Sequence, residues 1–236
     1  MAKKKTKQRS FWGRIRQRLM LVVGGVFILT VLVTLLFRWV PVPTSAFMLR
    51  QRLSGRAVDY RWVPMDRISP NAALAVIASE DQNFFAHWGI DLKAVTNAIE
   101  ENRTRKHPRG ASTISQQVAK NLFLWPRASY VRKGIEVYFT LLMELLWPKE
   151  RILTVYLNIA EMGRGVFGVE AASQRFYGLP ATRLNRRRAA TLAAVLPSPR
   201  RMSAARPSDY VVRRTWQIMV QMDRLGGTRF LERHGV

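Results

Sequence analysis

The residues in this chain best suited to chemistry fall in two short stretches and on one helix face. Glu80 closes an apolar run, Ala72 to Ala78, and is followed by Phe84, Phe85 and Trp88. The run predicts a buried core helix, capped by Ser69 with Pro70 at its first position. A carboxylate at the C-terminal end of such a helix faces the negative pole of the macrodipole and an apolar wall. Both disfavour its ionised form, raise its pKa and suit it to general-base work. The second stretch, Gly110 to Asn121, gathers Ser112, Thr113, Gln117, Lys120 and Asn121 around one short helix. Ser112 and Thr113 stand at its start, where backbone N–H groups favour an anion. Arg132, Lys133 and Glu136 share a third site, three and four residues apart on one helix face. A plain surface ion pair is the alternative there. The nearly unbroken apolar run Val137 to Leu146 argues that these charges are paired or functional. Together they suggest a base beside a cluster of cations and amides.

The elements that must position them are mostly helices. Asp91 caps a helix whose apolar face is Leu92, Val95, Ala98 and Ile99, and a polar, basic loop follows from Asn102 to Gly110. Thr113 and Gln116 have the spacing of a capping box, with Ile114, Val118 and Leu122 as the buried face behind it. Helices are also expected from Arg132 to Trp147, Lys149 to Ala160, Val169 to Tyr177, Asn185 to Leu196 and Ser208 to Leu225. Gly163, Gly165 and Gly168 mark a turn-rich loop, strand signals are sparse and there are no repeats. Phe47 to Leu53 is a short amphipathic helix or a plain linker. Phe123, Leu124 and Trp125 suit either a lipid contact or core packing.

The formal net charge is +24, from 39 Lys+Arg against 15 Asp+Glu, so the favoured partners are anionic. No cysteine is present, which removes disulfides and thiolate metal sites. The eight cations from Lys3 to Arg18 precede an uncharged run, Leu19 to Phe37. As a helix that run covers about 28 Å, close to the hydrocarbon thickness of a bilayer. Arg38-Trp39-Val40-Pro41 follows without an Ala-x-Ala cleavage pattern, so an uncleaved anchor is preferred to a signal peptide. The expected organisation is a basic cytoplasmic tail (1–18), a transmembrane helix (19–38), a membrane-proximal linker (39–68) and an extracytoplasmic domain (69–236), with the N-terminus inside.

Five blocks in order carry a family resemblance. They are Glu80-Asp81-x-x-Phe84-x-x-His87-x-Gly89, Gly110-x-Ser112-Thr113-Ile114-x-Gln116-Gln117-x-x-Lys120-Asn121, Arg132-Lys133-x-x-Glu136, Ile152-Leu153-x-x-Tyr156-Leu157-Asn158, and Ala189 to Pro197. The stretch from Tyr60 to Pro207 resembles the peptidoglycan glycosyltransferases of family 51, in their single-domain, membrane-anchored form. One departure is Arg188, where that family usually has Glu before the Ala pair; another is Lys149-Glu150 after Trp147-Pro148.

The resemblance implies a mainly α fold, a lysozyme-like helical lobe with a smaller membrane-proximal lobe. It implies a reaction that joins lipid II units into linear glycan, with inversion at the anomeric carbon and release of undecaprenyl pyrophosphate. Glu80 would be the base, and Lys120, Arg132 and Lys133 would hold the pyrophosphate. Gln117 and Asn121 would bind sugar or phosphate, as would Ser112 and Thr113. Glu136 would orient the cations or bind a divalent ion, Mg or Mn, although no cofactor is required. The implied partners are lipid II, the nascent strand, membrane lipid and other cell-wall synthesis or division proteins; nucleic acid is not expected. The short form favours a Gram-negative inner membrane with the catalytic domain in the periplasm. A penicillin-binding Ser-x-x-Lys set is absent, no room for a second catalytic domain is expected after Pro207, and no Gly-rich nucleotide loop follows a strand. His87 is one of three His, so packing and capping beside Phe84 and Trp88 are expected of it rather than metal binding. A lytic glycan hydrolase would share the Glu but not need the three cations. A basic scaffold would spread charge without buried acids.

Overall fold

The computed structural model describes residues 11–103, 110 and 112–236. Most of the basic tail and most of the Asn102 to Gly110 loop lie outside the described residues. The chain divides into two compact units, one up to Val40 and the other Pro41–Val236.

In the first unit, helix α1 spans Phe11–Leu36, starting earlier and ending sooner than the apolar run suggests. Its N-terminal turns take in Arg14, Arg16 and Arg18, because nothing in that stretch breaks a helix. The helix from Trp12 to Leu36 is long and apolar enough to cross a membrane, and Leu19, Val26 and Leu32 are all more than half exposed.

The second unit is built of helices around one small sheet. Helix α2 (Ala46–Leu53) starts at Ser45, whose Oγ accepts from the Met48 N–H. Met48 and Val42 are fully buried, so residues 41–68 pack as part of this unit. Strand β1 (Asp59–Tyr60) lies parallel to β3 (Val166–Phe167), which pairs antiparallel with β2 (Glu161–Gly163), giving the order β1-β3-β2. The three glycines near 163–168 thus shape a hairpin rather than a loop. Its strands of two and three residues are too short to show alternation in sequence. Asn158, from the fourth sequence block, exchanges hydrogen bonds with both the N–H and the C=O of Val63 at 2.9 and 2.8 Å. That block therefore ties the segment preceding the core to the core itself.

Helix α3 (Pro70–Glu80) has the expected Ser69 cap and is buried from Ala72 to Ala78. Helix α4 (Leu92–Asn102) is capped by Asp91, but Leu92 and Ile99 are exposed, and of the proposed apolar face Ala98 is the buried member. Helix α5 (Ile114–Phe123) opens with the full Thr113–Gln116 capping box. Then come α6 (Tyr130–Leu146), α7 (Lys149–Ile159), α8 (Val169–Tyr177), α9 (Arg186–Val195) and α10 (Asp209–Arg224). A last turn of helix, α11 (Arg229–Glu232), carries no sequence signal of its own. Helices α3, α9 and α10 pack on one another, as do α5, α6 and α7. Phe123 stacks on Phe139 and Leu124 is buried, while Trp125 remains exposed.

Candidate active site

Glu80 sits at the last position of α3, where the helix leaves the core. Gln117 Nε2 on α5 donates to Glu80 Oε2 at 2.8 Å, and Tyr156 Oη on α7 donates to Gln117 Oε1 at 3.1 Å. Desolvation is the largest influence on Glu80 and raises its pKa. The Gln117 hydrogen bond and the charges of Arg214 and Lys120 pull it back, and Asp81 pushes it up again. Tyr156 is fully buried and its phenol is pushed up by desolvation, then by Glu80 and Asp81, so it acts as a proton donor to the amide.

Asp81 points away from Glu80. Its carboxylate accepts from the Ile114 N–H at 3.0 Å and from His87 Nε2 at 2.9 and 3.1 Å. The anion place at the α5 N-terminus is thus filled from within the protein. This corrects one expectation. Thr113 is buried, with its hydroxyl donating to Gly89 O at 2.6 Å and accepting from the Gln116 N–H, so it is not presented to a ligand. His87, by its bond to Asp81 at the end of α3, adds a hydrogen bond to the packing and capping expected of it. Ser112 remains exposed.

On α6, Glu136 is buried and each of its oxygens accepts from one cation, Arg132 Nη1 and Lys133 Nζ, both at 2.5 Å. As a metal ligand Glu136 does not fit. Its oxygens are engaged, and among the described residues no group of three His, Cys, Asp or Glu could hold an ion. Its two ion pairs hold Arg132 and Lys133 against α6. Lys120 lies within the field of this group. Desolvation lowers its pKa first; Glu136 raises it, Arg132 and Lys133 lower it, and Glu80 raises it.

Two clefts meet some of these residues; Arg132, Lys133 and Glu136 line neither. One, of about 500 Å³, is lined by Gln117, Lys120, Asn121 and Tyr156 together with Arg50, Arg56 and Arg200. The other, of about 360 Å³, is lined by Glu80, Asn83, Asp91 and Ser112. The Glu80–Gln117 hydrogen bond joins the two, so a carboxylate on one cleft meets an amide on the cation-lined other. Residues 48–223 match the family model described as transglycosylase. The chain belongs to the transglycosylase family. It is 53% identical over 211 residues to the biosynthetic peptidoglycan transglycosylase of Chromohalobacter salexigens, covering 87% of this chain and 90% of that protein. To the protein of the same name from Cronobacter sakazakii it is 52% identical over 228 residues, covering 94% and 93%. To that of Pseudomonas putida it is 49% identical over 224 residues, covering 92% and 93%. A glycosidase needs a second carboxyl group to protonate its leaving group, whereas a transglycosylase acting on a pyrophosphate donor needs that group's charge held.

Sequence reasoning missed one charged neighbour of Glu80. Arg214 Nη2 on α10 donates to Ser79 O at 3.3 Å, and its charge acts on Glu80 ahead of that of Lys120. No local pattern marks it, since it stands 135 residues from Ser79. Arg188, where the family usually has Glu, lies over the Tyr177 ring at 5.5 Å. Lys149 is bound to Glu144 and to His87 O at 2.8 and 2.7 Å, which fastens α7 to the loop after α3.

Proposed function

We propose that this chain polymerises lipid II into linear peptidoglycan strands, with Glu80 as the base. The hydroxyl of the acceptor gives its proton to Glu80 Oε as its oxygen attacks the anomeric carbon of the donor from the face opposite the pyrophosphate. The C–O bond to the pyrophosphate breaks, its electron pair stays on the leaving oxygen, and configuration inverts. Lys120, Arg132 and Lys133 hold the charge that develops there, with Glu136 keeping Arg132 and Lys133 aimed. Gln117 and Asn121 hydrogen-bond sugar or phosphate, and Ser112 lines the acceptor side.

The observation that carries this reading is the Glu80–Gln117 contact between the two clefts, with a cation cluster within electrostatic reach of one of them. The names of the relatives supply the polymer. The apolar helix α1 supplies the anchor, which suits a substrate whose lipid tail stays in the bilayer. We place the N-terminus in the cytoplasm and the catalytic unit outside it, in the periplasm of a Gram-negative cell, beside other cell-wall synthesis proteins. The direct test is incubation with labelled lipid II, followed by a gel that resolves glycan chains. A ladder is expected. Shortening of finished glycan in place of a ladder would make the protein a hydrolase.

A further inference from the structure

The loop from Asp81 to Ile90 joins Glu80 to the wall of the second cleft. Its inner side is fixed by buried contacts: Asp81 accepts from Ile114 N and His87, and Phe84 is fully buried. Its outer side depends on Phe85, which is half-buried and meets Phe84 edge-on at 5.1 Å. What covers Phe85 comes from the other end of the chain. His234 stacks on it with ring centroids 4.2 Å apart and planes 13° apart, and Phe230 meets it at 5.7 Å.

The C-terminal segment is built to make that contact. Gly226 and Gly227, at φ of 98° and 66°, reverse the chain after α10 in a conformation that side chains other than glycine resist. Leu231 is buried, and α11 lies against α3. His234 Nδ1 donates to Phe230 O at 2.7 Å, which fixes the imidazole plane against Phe85. His234 itself is exposed, so its ring adds little to the core. The contact has its effect on the loop.

We infer that Phe230 and His234 are positioning residues for glycan synthesis: they clamp Phe85 and hold the loop so that Glu80 and Asn83 keep their places on the acceptor cleft. The inference rests on Glu80 being the base. An aromatic pair of this kind shifts an equilibrium about three- to tenfold, and a small displacement of a base costs rate out of proportion to its size.

The experiment uses the full chain in detergent with lipid II, measuring kcat, KM and Tm for four variants: His234→Ala, His234→Phe, Phe85→Ala and the Phe85→Ala/His234→Ala double. His234→Ala should lower kcat about three- to tenfold while KM and Tm stay near wild type. His234→Phe keeps the stack without the hydrogen bond and should restore most of the rate. The double variant should be no slower than Phe85→Ala alone, because both remove one contact. Wild-type kcat in His234→Ala overturns the clamp, as do failure of His234→Phe to rescue, additive losses, or a loss that tracks a fall in Tm. Glu80→Gln is assayed in parallel. If it polymerises at the wild-type rate the base assignment fails, whatever the clamp cycle shows.

Discussion

Glu80 and Lys120 carry opposite shifts, and in the proposed mechanism together they would set the pH range of turnover. Glu80 must be ionised to accept a proton, and desolvation raises its pKa, so kcat should climb through an acid limb above the ordinary carboxylate range. Lys120 must be protonated to hold the leaving group, and desolvation lowers its pKa, so a basic limb should appear below the ordinary lysine range. Arg214 counteracts the rise at Glu80. Arg214→Gln should therefore move the acid limb to higher pH and leave the basic limb in place, and an unmoved acid limb would remove Arg214 from the site. Glu80→Gln should lower polymerisation at least about 10²-fold with the fold intact, whereas Asp81→Asn should cost less turnover. If Glu136→Gln stops polymerisation and Glu80→Gln does not, the base is on α6. The same shift has a stability consequence. A carboxyl whose folded pKa exceeds its unfolded value stabilises the fold below the unfolded pKa, and loses that contribution as pH rises through the folded one. Glu80→Gln should thus raise Tm at about pH 7 and not at about pH 4, as calorimetry would read. Lys120→Ala and Arg132→Ala should each lose roughly 2–4 kcal/mol of transition-state stabilisation with the fold retained; wild-type turnover in either would make the cluster structural.

At the scale of elements, the site exists because α3, α5 and α6 present their polar residues to a common region. That much was legible in sequence. Ser69, Asp91, Thr113 and Asn185 each mark a helix start through a local hydrogen bond, and local rules read local bonds. The spacing of Arg132, Lys133 and Glu136 likewise implied the pairs that form. What stayed hidden depends on distant partners. Thr113 reads as a ligand donor in sequence because its bond to Gly89 O, 24 residues away, leaves no local mark. Strands β1 to β3, α11 and Arg214 acquire meaning only once remote segments meet. Gly89 shows the same dependence. Its φ is +75°, and a Cβ there would lie 2.5 Å from Thr140 Cγ2 and 2.9 Å from Glu144 Cγ. Gly89→Ala should destabilise the fold by about 1–3 kcal/mol from backbone conformation alone, with the steric clash adding to it. A denaturant midpoint equal to wild type would show that the loop relaxes without cost.

For the whole molecule, the question is which side of the membrane the catalytic unit occupies. Helix α1 has 26 residues, a length of about 39 Å, more than the roughly 30 Å of a hydrocarbon core. The excess lies at its N-terminal turns, which carry Arg14, Arg16 and Arg18 and so belong in the headgroup region. Eight cations precede Leu19, whereas between the end of the apolar run and Arg50 the sole cation is Arg38. The positive-inside bias therefore supports the proposal that the N-terminus lies in the cytoplasm and the residues from Pro41 onward lie outside it. Trp12 and Trp39, both exposed, bracket the span where aromatic rings favour an interface. A reporter that is active only outside the cytoplasm, fused after Val236, should give signal, and one that requires the cytoplasm should be silent. Replacing the eight cations with Gln should weaken that asymmetry and yield a mixed population. Signal from the cytoplasmic reporter in the native sequence would place Glu80 on the wrong side for a growing wall, and no assignment of the base or of the cations would then rescue polymerisation of lipid II as the reaction.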